Sequence, residues 1–370
     1  MAYDAWLRNP GSDPDRCFIT DDVEEDGFYI EDFARRDRDD REHRLSRIAR
    51  EIDRVTSLYG FPPVWRETEG RGIKVAVIDT GIDPDHPAFM PAADCPMAPP
   101  RNEGDEPYGP AIVLMRAFRE GRLVGEGSDA VRDRNGHGTH CAGIVAARPL
   151  RDVPFGGIAP RAQLLIYKVA EDDGSARMSD VALAINDAVD EGADIVSLSL
   201  QGERPSDALF AAVHRLLFHR RMIVCAAGNG GQLRPFNIGY PARMGGVITV
   251  GATTRMGNPA DFSSSGGEID FCGPGERVWS TWIDRSYRNL SGTSMAAPWV
   301  AGISALILAK HRAFKAGPDT GNETPVRNNE DLRDHLLRMA AHPSTHDCRT
   351  GYGTLYPAIY FCAGPAGRVG

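Results

Sequence analysis

Five short apolar runs, each stopping at a polar or turn residue, constrain this chain more than anything else in it. They are Lys74–Asp79, Gln163–Val169, Ala193–Leu200, Met222–Ala227 and Val247–Gly251. Helical patterns lie between several of them, at Ser179–Val189 (closed by Gly192) and Pro205–Arg220. Strands that are apolar on both faces and alternate with helices predict an α/β fold: a three-layer parallel β-sheet with helices on both faces. Ligands of such sheets bind beyond the carboxyl ends of the strands. Asp79, Leu200 and Asn229 fall there.

The flanking regions read differently. Residues 1–35 mix acids, Gly and Pro with little periodicity, which predicts an irregular arm. In residues 36–58, Leu45, Ile48, Ile52, Val55 and Leu58 recur at spacings of three and four, with arginines between them. That pattern predicts an amphipathic helix with one stripe to bury, ended by Gly60, Pro62 and Pro63. The chain therefore divides into an N-terminal arm plus helix (1–60) and a main domain (61–370). Residues 90–130 read as a long surface loop. Helices are predicted from about Ser294 to Lys310 and Asn329 to Met339, and Lys315–Asn328 reads as a polar loop.

Three local motifs carry chemistry. The first is Val77-Ile78-Asp79-Thr80-Gly81, an acid at a strand end. The second is Asn135-Gly136-His137-Gly138-Thr139-His140. The third is Ser291-Gly292-Thr293-Ser294-Met295-Ala296-Ala297-Pro298. Alone, each has an ordinary structural explanation: a turn residue, a loop histidine, a helix N-cap serine. Together, in the order Asp, His, Ser on an α/β pattern, they supply an orienting acid, a base and a nucleophile.

Over roughly residues 61–360 the chain resembles the subtilisin (subtilase) family of serine proteases, whose triad has this order. The resemblance implies a serine endopeptidase in which Asp79 orients His137, His137 takes the proton of Ser294, and Ser294 attacks the scissile carbonyl. It also implies that Asn229, in Ala226-Ala227-Gly228-Asn229, donates into an oxyanion hole. The substrate is expected as an extended peptide paired with an edge strand at Ser197-Leu198-Ser199-Leu200-Gln201-Gly202. The walls of its primary pocket would be Ala226, Ala227 and Gly228, with Gly239 at the base. A Gly base suggests a deep pocket. The family usually has Gly where this chain has Gln201, which sets a long polar side chain on the pocket rim. Cys141 resembles the thiol of the branch that includes proteinase K, lying behind the histidine. Trp299 stands where the family often has His and is expected to anchor the core.

No cofactor is expected. Calcium is possible, but the family's usual site lacks its ligands: Ala88 replaces the carboxylate, and Arg148 to Val153 replace an Asn-rich loop. A net charge of −9 argues against nucleic acid. No apolar run approaching ~18 residues is seen, so no membrane span is expected. Seven scattered cysteines without a CxxC pair argue against zinc and suggest free thiols in a reducing compartment. Cys348 and Cys362 flank a Gly-rich turn, and their pairing stays open. With no signal pattern at the start, a cytoplasmic bacterial processing protease is expected rather than a secreted general protease. A catalytically silent binding module is the alternative from another class. Residues 1–60 read as a permanent extension or as an inhibitory, propeptide-like element.

Overall fold

The computed structural model describes residues 15–19, 23–29, 50, 57–95, 108–151, 153, 155–231, 237–315 and 325–362. The strands, in chain order, are β1 (Arg16–Ile19), β2 (Val23–Tyr29), β3 (Lys74–Asp79), β4 (Ile112–Arg119), β5 (Arg122–Glu126), β6 (Gln163–Lys168), β7 (Ser175–Arg177), β8 (Ile195–Leu198), β9 (Leu200–Gln201), β10 (Met222–Ala226), β11 (Ile248–Thr253), β12 (Phe271–Pro274), β13 (Val278–Trp282) and β14 (Ser286–Ser291). Eight form the central sheet, in the order β12-β11-β10-β8-β3-β6-β4-β5. Every neighbouring pair in it is parallel except β4–β5.

The three layers follow from the period of two along each strand. Val75 and Val77 of β3 face a core shared with the helices His137–Ala146 and Thr293–Lys315. Ala76 and Ile78 face the opposite core, against the helices Met178–Asp190 and Asp207–Phe218. Each Val or Ile so buried contributes about 1.5–3 kcal/mol, which is why these strands read as unbroken apolar runs. Segment Thr293–Arg312 is long and apolar enough to cross a membrane, yet 94% of its most apolar window is buried in the fold. Its apolarity is that of a core helix.

Three expectations are corrected. The arm is not irregular throughout. Its β1 pairs antiparallel with β7 and β9, and its β2 pairs antiparallel with β14. These partners lie far along the chain, so no local pattern marks the pairing. The 90–130 loop contains the β4–β5 hairpin at the edge of the sheet. Partial exposure leaves this edge its arginines, and they blur the pattern: Arg116 binds Glu126, Asp187 and Glu191 at 2.6–2.7 Å. Of the predicted helix 36–58, residues 50, 57 and 58 are helical and the others lie outside the described residues. Leu58, assigned to its buried stripe, is 54% exposed. Tyr59 is buried instead, with its ring 5.0 Å from that of Trp299. Trp299 also meets Phe61 edge-on at 5.9 Å, so it ties the entry of the domain to its central helix.

Cys17, Cys95, Cys141, Cys225 and Cys272 are buried free thiols, and Cys348 is an exposed one. The side chain of Cys362 lies outside the described residues.

Candidate active site

Asp79 ends β3 and is buried. Its Oδ1 accepts hydrogen bonds from the Thr80 amide at 2.7 Å and from His137 Nδ1 at 2.8 Å. A carboxylate on Nδ1 fixes the tautomer that leaves Nε2 as the basic nitrogen. His137 opens its helix after Gly136, whose φ of +101° suits glycine. A Cβ on Gly138 would sit 2.3 Å from the Gly81 carbonyl oxygen, so the close approach of helix to strand requires the second glycine.

Asp133 builds the turn that presents His137. Its Oδ1 accepts from the amides of Asn135 and Gly136 at 3.0 and 2.9 Å, and its Oδ2 from the Thr139 amide and hydroxyl at 3.0 and 2.7 Å. The neighbouring His140 is buried, with Nε2 3.1 Å from the carbonyls of Val278 and Arg288. Burial, reinforced by His137, lowers its pKa to about 3, so it stays neutral at neutral pH. Cys141 Sγ lies 3.8 Å from His137 Nδ1. Asp79, His137 and Cys141 bring O, N and S donors within 4.8 Å of one another, but the oxygen and nitrogen are already joined by a hydrogen bond.

Ser294 is the second residue of the helix Thr293–Lys315, and Pro298 lies inside that helix. Proline has no N–H, so the Ser294 carbonyl loses its partner at i+4. Two side chains replace it: Ser199 Oγ donates at 3.2 Å and Cys141 Sγ at 3.3 Å. The missing backbone bond thus becomes a tie from the serine turn to β8–β9 and to the histidine helix.

Asn229 follows β10. Its Oδ1 accepts from the Thr293 amide and hydroxyl, both at 2.9 Å. The Thr293 hydroxyl in turn accepts from the Gly228 amide at 3.1 Å. With its oxygen turned to Thr293, the carboxamide presents its NH2 on the other side. Thr293 and Asp133 escaped the sequence reading; the signal for Thr293 was a polar residue beside Ser294 in its motif, and for Asp133 an acid two residues before the histidine motif.

The residues expected to bind a peptide divide into groups. Ser197 and Leu198 lie inside β8, paired on one side with β3 and on the other with β10. Their backbone is already used within the sheet, which removes them from the peptide edge. Ala226 and Ala227 point into the two cores. Ser199, Leu200, Gln201 and Gly202 diverge from the sheet, and Gly202 exchanges two hydrogen bonds with Tyr240 at 3.0 and 2.8 Å. Along the edge at Leu200–Gln201 the structure places β1: Phe18 pairs with Gln201 and Ile19 with Leu200. β7, which was not expected, forms the other wall, with Arg16, Cys17 and Phe18 opposite Arg177, Ala176 and Ser175.

Residues 70–353 match the Subtilase family. The chain belongs to that family. The intracellular serine protease of Paenibacillus polymyxa is 38% identical over 259 residues, 70% of this chain and 73% of the relative. The major intracellular serine protease of Bacillus subtilis (strain 168) is 38% identical over 250 residues, 66% of this chain and 72% of the relative. Thermitase of Thermoactinomyces vulgaris is 34% identical over 257 residues, 68% and 80%. This subtilase is therefore a subtilisin-type serine endopeptidase, and peptides or proteins are its substrates. Its Asp79–His137 hydrogen bond lies at the carboxyl end of a central parallel strand.

Proposed function

We propose that this subtilase hydrolyses peptide bonds with Asp79, His137 and Ser294, and that its arm holds it in check. The 2.8 Å Asp79–His137 bond supports the triad most directly. His137 Nε2 takes the Ser294 proton as Oγ attacks the carbonyl. Asn229 and the Ser294 amide stabilise the oxyanion. His137 then protonates the leaving amine, and water repeats the sequence on the acyl-enzyme.

The arm supports the regulatory half. β1 lies as a strand between β7 and β9, where an extended substrate would pair. Asp15 caps the helix Met178–Asp190: its Oδ1 accepts from the Ser179 amide at 3.1 Å, and its carbonyl from the Met178 amide at 2.7 Å. Cys17 is fully buried, and burial pushes its thiol pKa up, so it acts as an apolar plug. Beyond the slot, Val23 pairs with Ser291, close to Ser294 in sequence. In the full chain His137 and Ser294 are only 4% and 0% exposed. Residues 1–60 are thus an inhibitory extension on a peptidase domain of 61–370. The names of the two intracellular relatives support a cytoplasmic enzyme; that it processes a particular peptide or protein is part of the proposal.

The test is labelling with a fluorophosphonate, read by intact mass. One adduct on wild type and none on Ser294→Ala is expected. Cys17→Lys places an ammonium in an apolar site, at a cost of several kcal/mol unless the strand leaves. It should raise both labelling and peptide-cleavage rates about tenfold or more. Equal rates would remove the arm from regulation; an unlabelled wild type and Cys17→Lys would remove Ser294 from catalysis.

Stability without calcium forms part of the same proposal. Arg148 donates its amide to the Ala88 carbonyl at 2.7 Å. Its buried guanidinium donates to the carbonyls of Pro110 and Ala162 at 3.1 Å, and also to those of Gly109 and Pro160. Burial lowers its pKa to about 10, so it remains a cation at neutral pH. A cage of carbonyl oxygens here already holds a positive charge. Chelator should leave the melting temperature of wild type unchanged. Arg148→Met should cost about 3 kcal/mol by stranding buried carbonyls, seen as a melting temperature lower by several degrees.

A further inference from the structure

Gln201 is 7% exposed, so it is not on a rim. Its side chain runs between two glycines. A Cβ on Gly239 would lie 3.3 Å from Gln201 Cβ, and a Cβ on Gly228 would lie 1.9 Å from Gln201 Oε1. Gly228 and Gly239 are the residues expected to wall and floor the primary pocket, and Gly228 immediately precedes Asn229. The space that two side-chain-free residues open is therefore taken up by the chain's own carboxamide.

That carboxamide ends in a buried oxygen with no hydrogen-bond partner among the described residues. Two nearby backbone donors, the amides of Gly228 and Gly202, are committed elsewhere. The Gly228 amide donates to Thr293 and its carbonyl accepts from Ser264. Gly202 is bonded to Tyr240, and the Gly239 carbonyl accepts from Arg243. A buried acceptor that has lost its hydration and gained no donor is costly, and a ligand that brings the donor recovers that cost.

We infer that Gln201 sets the primary specificity of this subtilase, admitting a small residue with a hydrogen-bond donor, Ser or Thr, on the amino side of the scissile bond and excluding large apolar ones. The inference rests on the proposed peptidase reading and on the slot that β1 marks. Gln201 shortens the pocket, so Phe, Leu or Met has no room. Its oxygen meets a hydroxyl from Ser or Thr, which Ala cannot supply. A pocket built to bond a hydroxyl discriminates against the analogue that lacks it more strongly than an apolar pocket does against one methylene. The residue that follows Ile19 in the arm is itself a threonine.

The experiment compares full-length chains carrying Phe18→Pro, with and without Gln201→Gly. Proline at 18 removes one ladder N–H and loosens β1. Each is given internally quenched peptides that differ only at the residue before the cut, and each is titrated with a fluorophosphonate. With Gln201 present, kcat/KM should be about tenfold higher for Ser or Thr than for Ala, and higher still relative to Phe. With Gln201→Gly, Phe and Leu should overtake Ser by about tenfold while titratable sites stay constant. A Gln201 enzyme that prefers Phe or Leu, or an order unchanged by Gln201→Gly, overturns the inference. So does an enzyme that takes the phosphonate and cleaves none of the peptides. Loss of both phosphonate uptake and cleavage would instead overturn the peptidase reading beneath it.

Discussion

Asp79→Asn is expected to lower the turnover of peptide substrates by about four orders of magnitude with the fold intact, a magnitude carried over from the same change in a chymotrypsin-type triad. That is about 5.5 kcal/mol of transition-state stabilisation. The cause is a tautomer. In wild type, Asp79 Oδ1 accepts from His137 Nδ1 at 2.8 Å and from the Thr80 amide at 2.7 Å. With Asn, the Thr80 amide keeps the carboxamide oxygen on its side, and the NH2 turns to the imidazole. His137 must then accept at Nδ1 and carry its proton on Nε2, where it has no lone pair for Ser294. Steady-state kinetics beside a thermal melt separate this from misfolding. A loss smaller than tenfold in a folded protein would show that Asp79 does not orient the base.

Asn229→Ala should lower kcat by about 10²–10³ and leave KM nearly unchanged, a loss of ~2.7–4 kcal/mol carried over from the same donor in subtilisin, a relative. The split matters because a donor to the oxyanion acts only once charge develops, whereas a pocket residue would move KM. The structure adds a stability cost. Thr293 N and Oγ1 both lose the oxygen they now meet at 2.9 Å, and unpaired buried donors cost about 1–3 kcal/mol each. Thr293→Val separates the effects: it removes the hydroxyl bond and keeps the Asn229 donor, so its kcat should fall far less. Equal losses in the two variants would make Asn229 a scaffold residue.

What could be read in advance was whatever short-range physics decides. β3 was delimited to the residue because strands buried on both faces are apolar at every position, and Asp79 breaks that run. The helices Met178–Asp190, Asp207–Phe218 and Asn329–Leu337 were legible from their periodic apolar residues to within about two residues at each end. The helix opening at Thr293 runs on to Lys315, past the expected Lys310. What escaped was decided across distance. β1 meets partners more than 150 residues away, so its residues look irregular locally. Ser197 and Leu198 are the same chemical type as their neighbours, and only the sheet order shows that both their edges are filled. Gln201 was singled out by its residue type, but not the direction of its side chain, which depends on where Gly228 and Gly239 come to lie. Thr293 matters through a bond to a residue 64 positions away.

β1 belongs to the same molecule as the slot it fills. Its local concentration there is set by tether length, on the order of millimolar for short flexible connections, and does not change when the protein is diluted. A free peptide with the same contacts would have to be supplied in excess to compete. One cut between Ile19 and Val23 would change the molecularity of the arrangement. The segment carrying β1 would become a separate solute, while β2 stayed joined to the enzyme beside β14. Occupancy of the slot would then fall with every dilution, so release by a single cut becomes progressively harder to reverse as the fragment disperses.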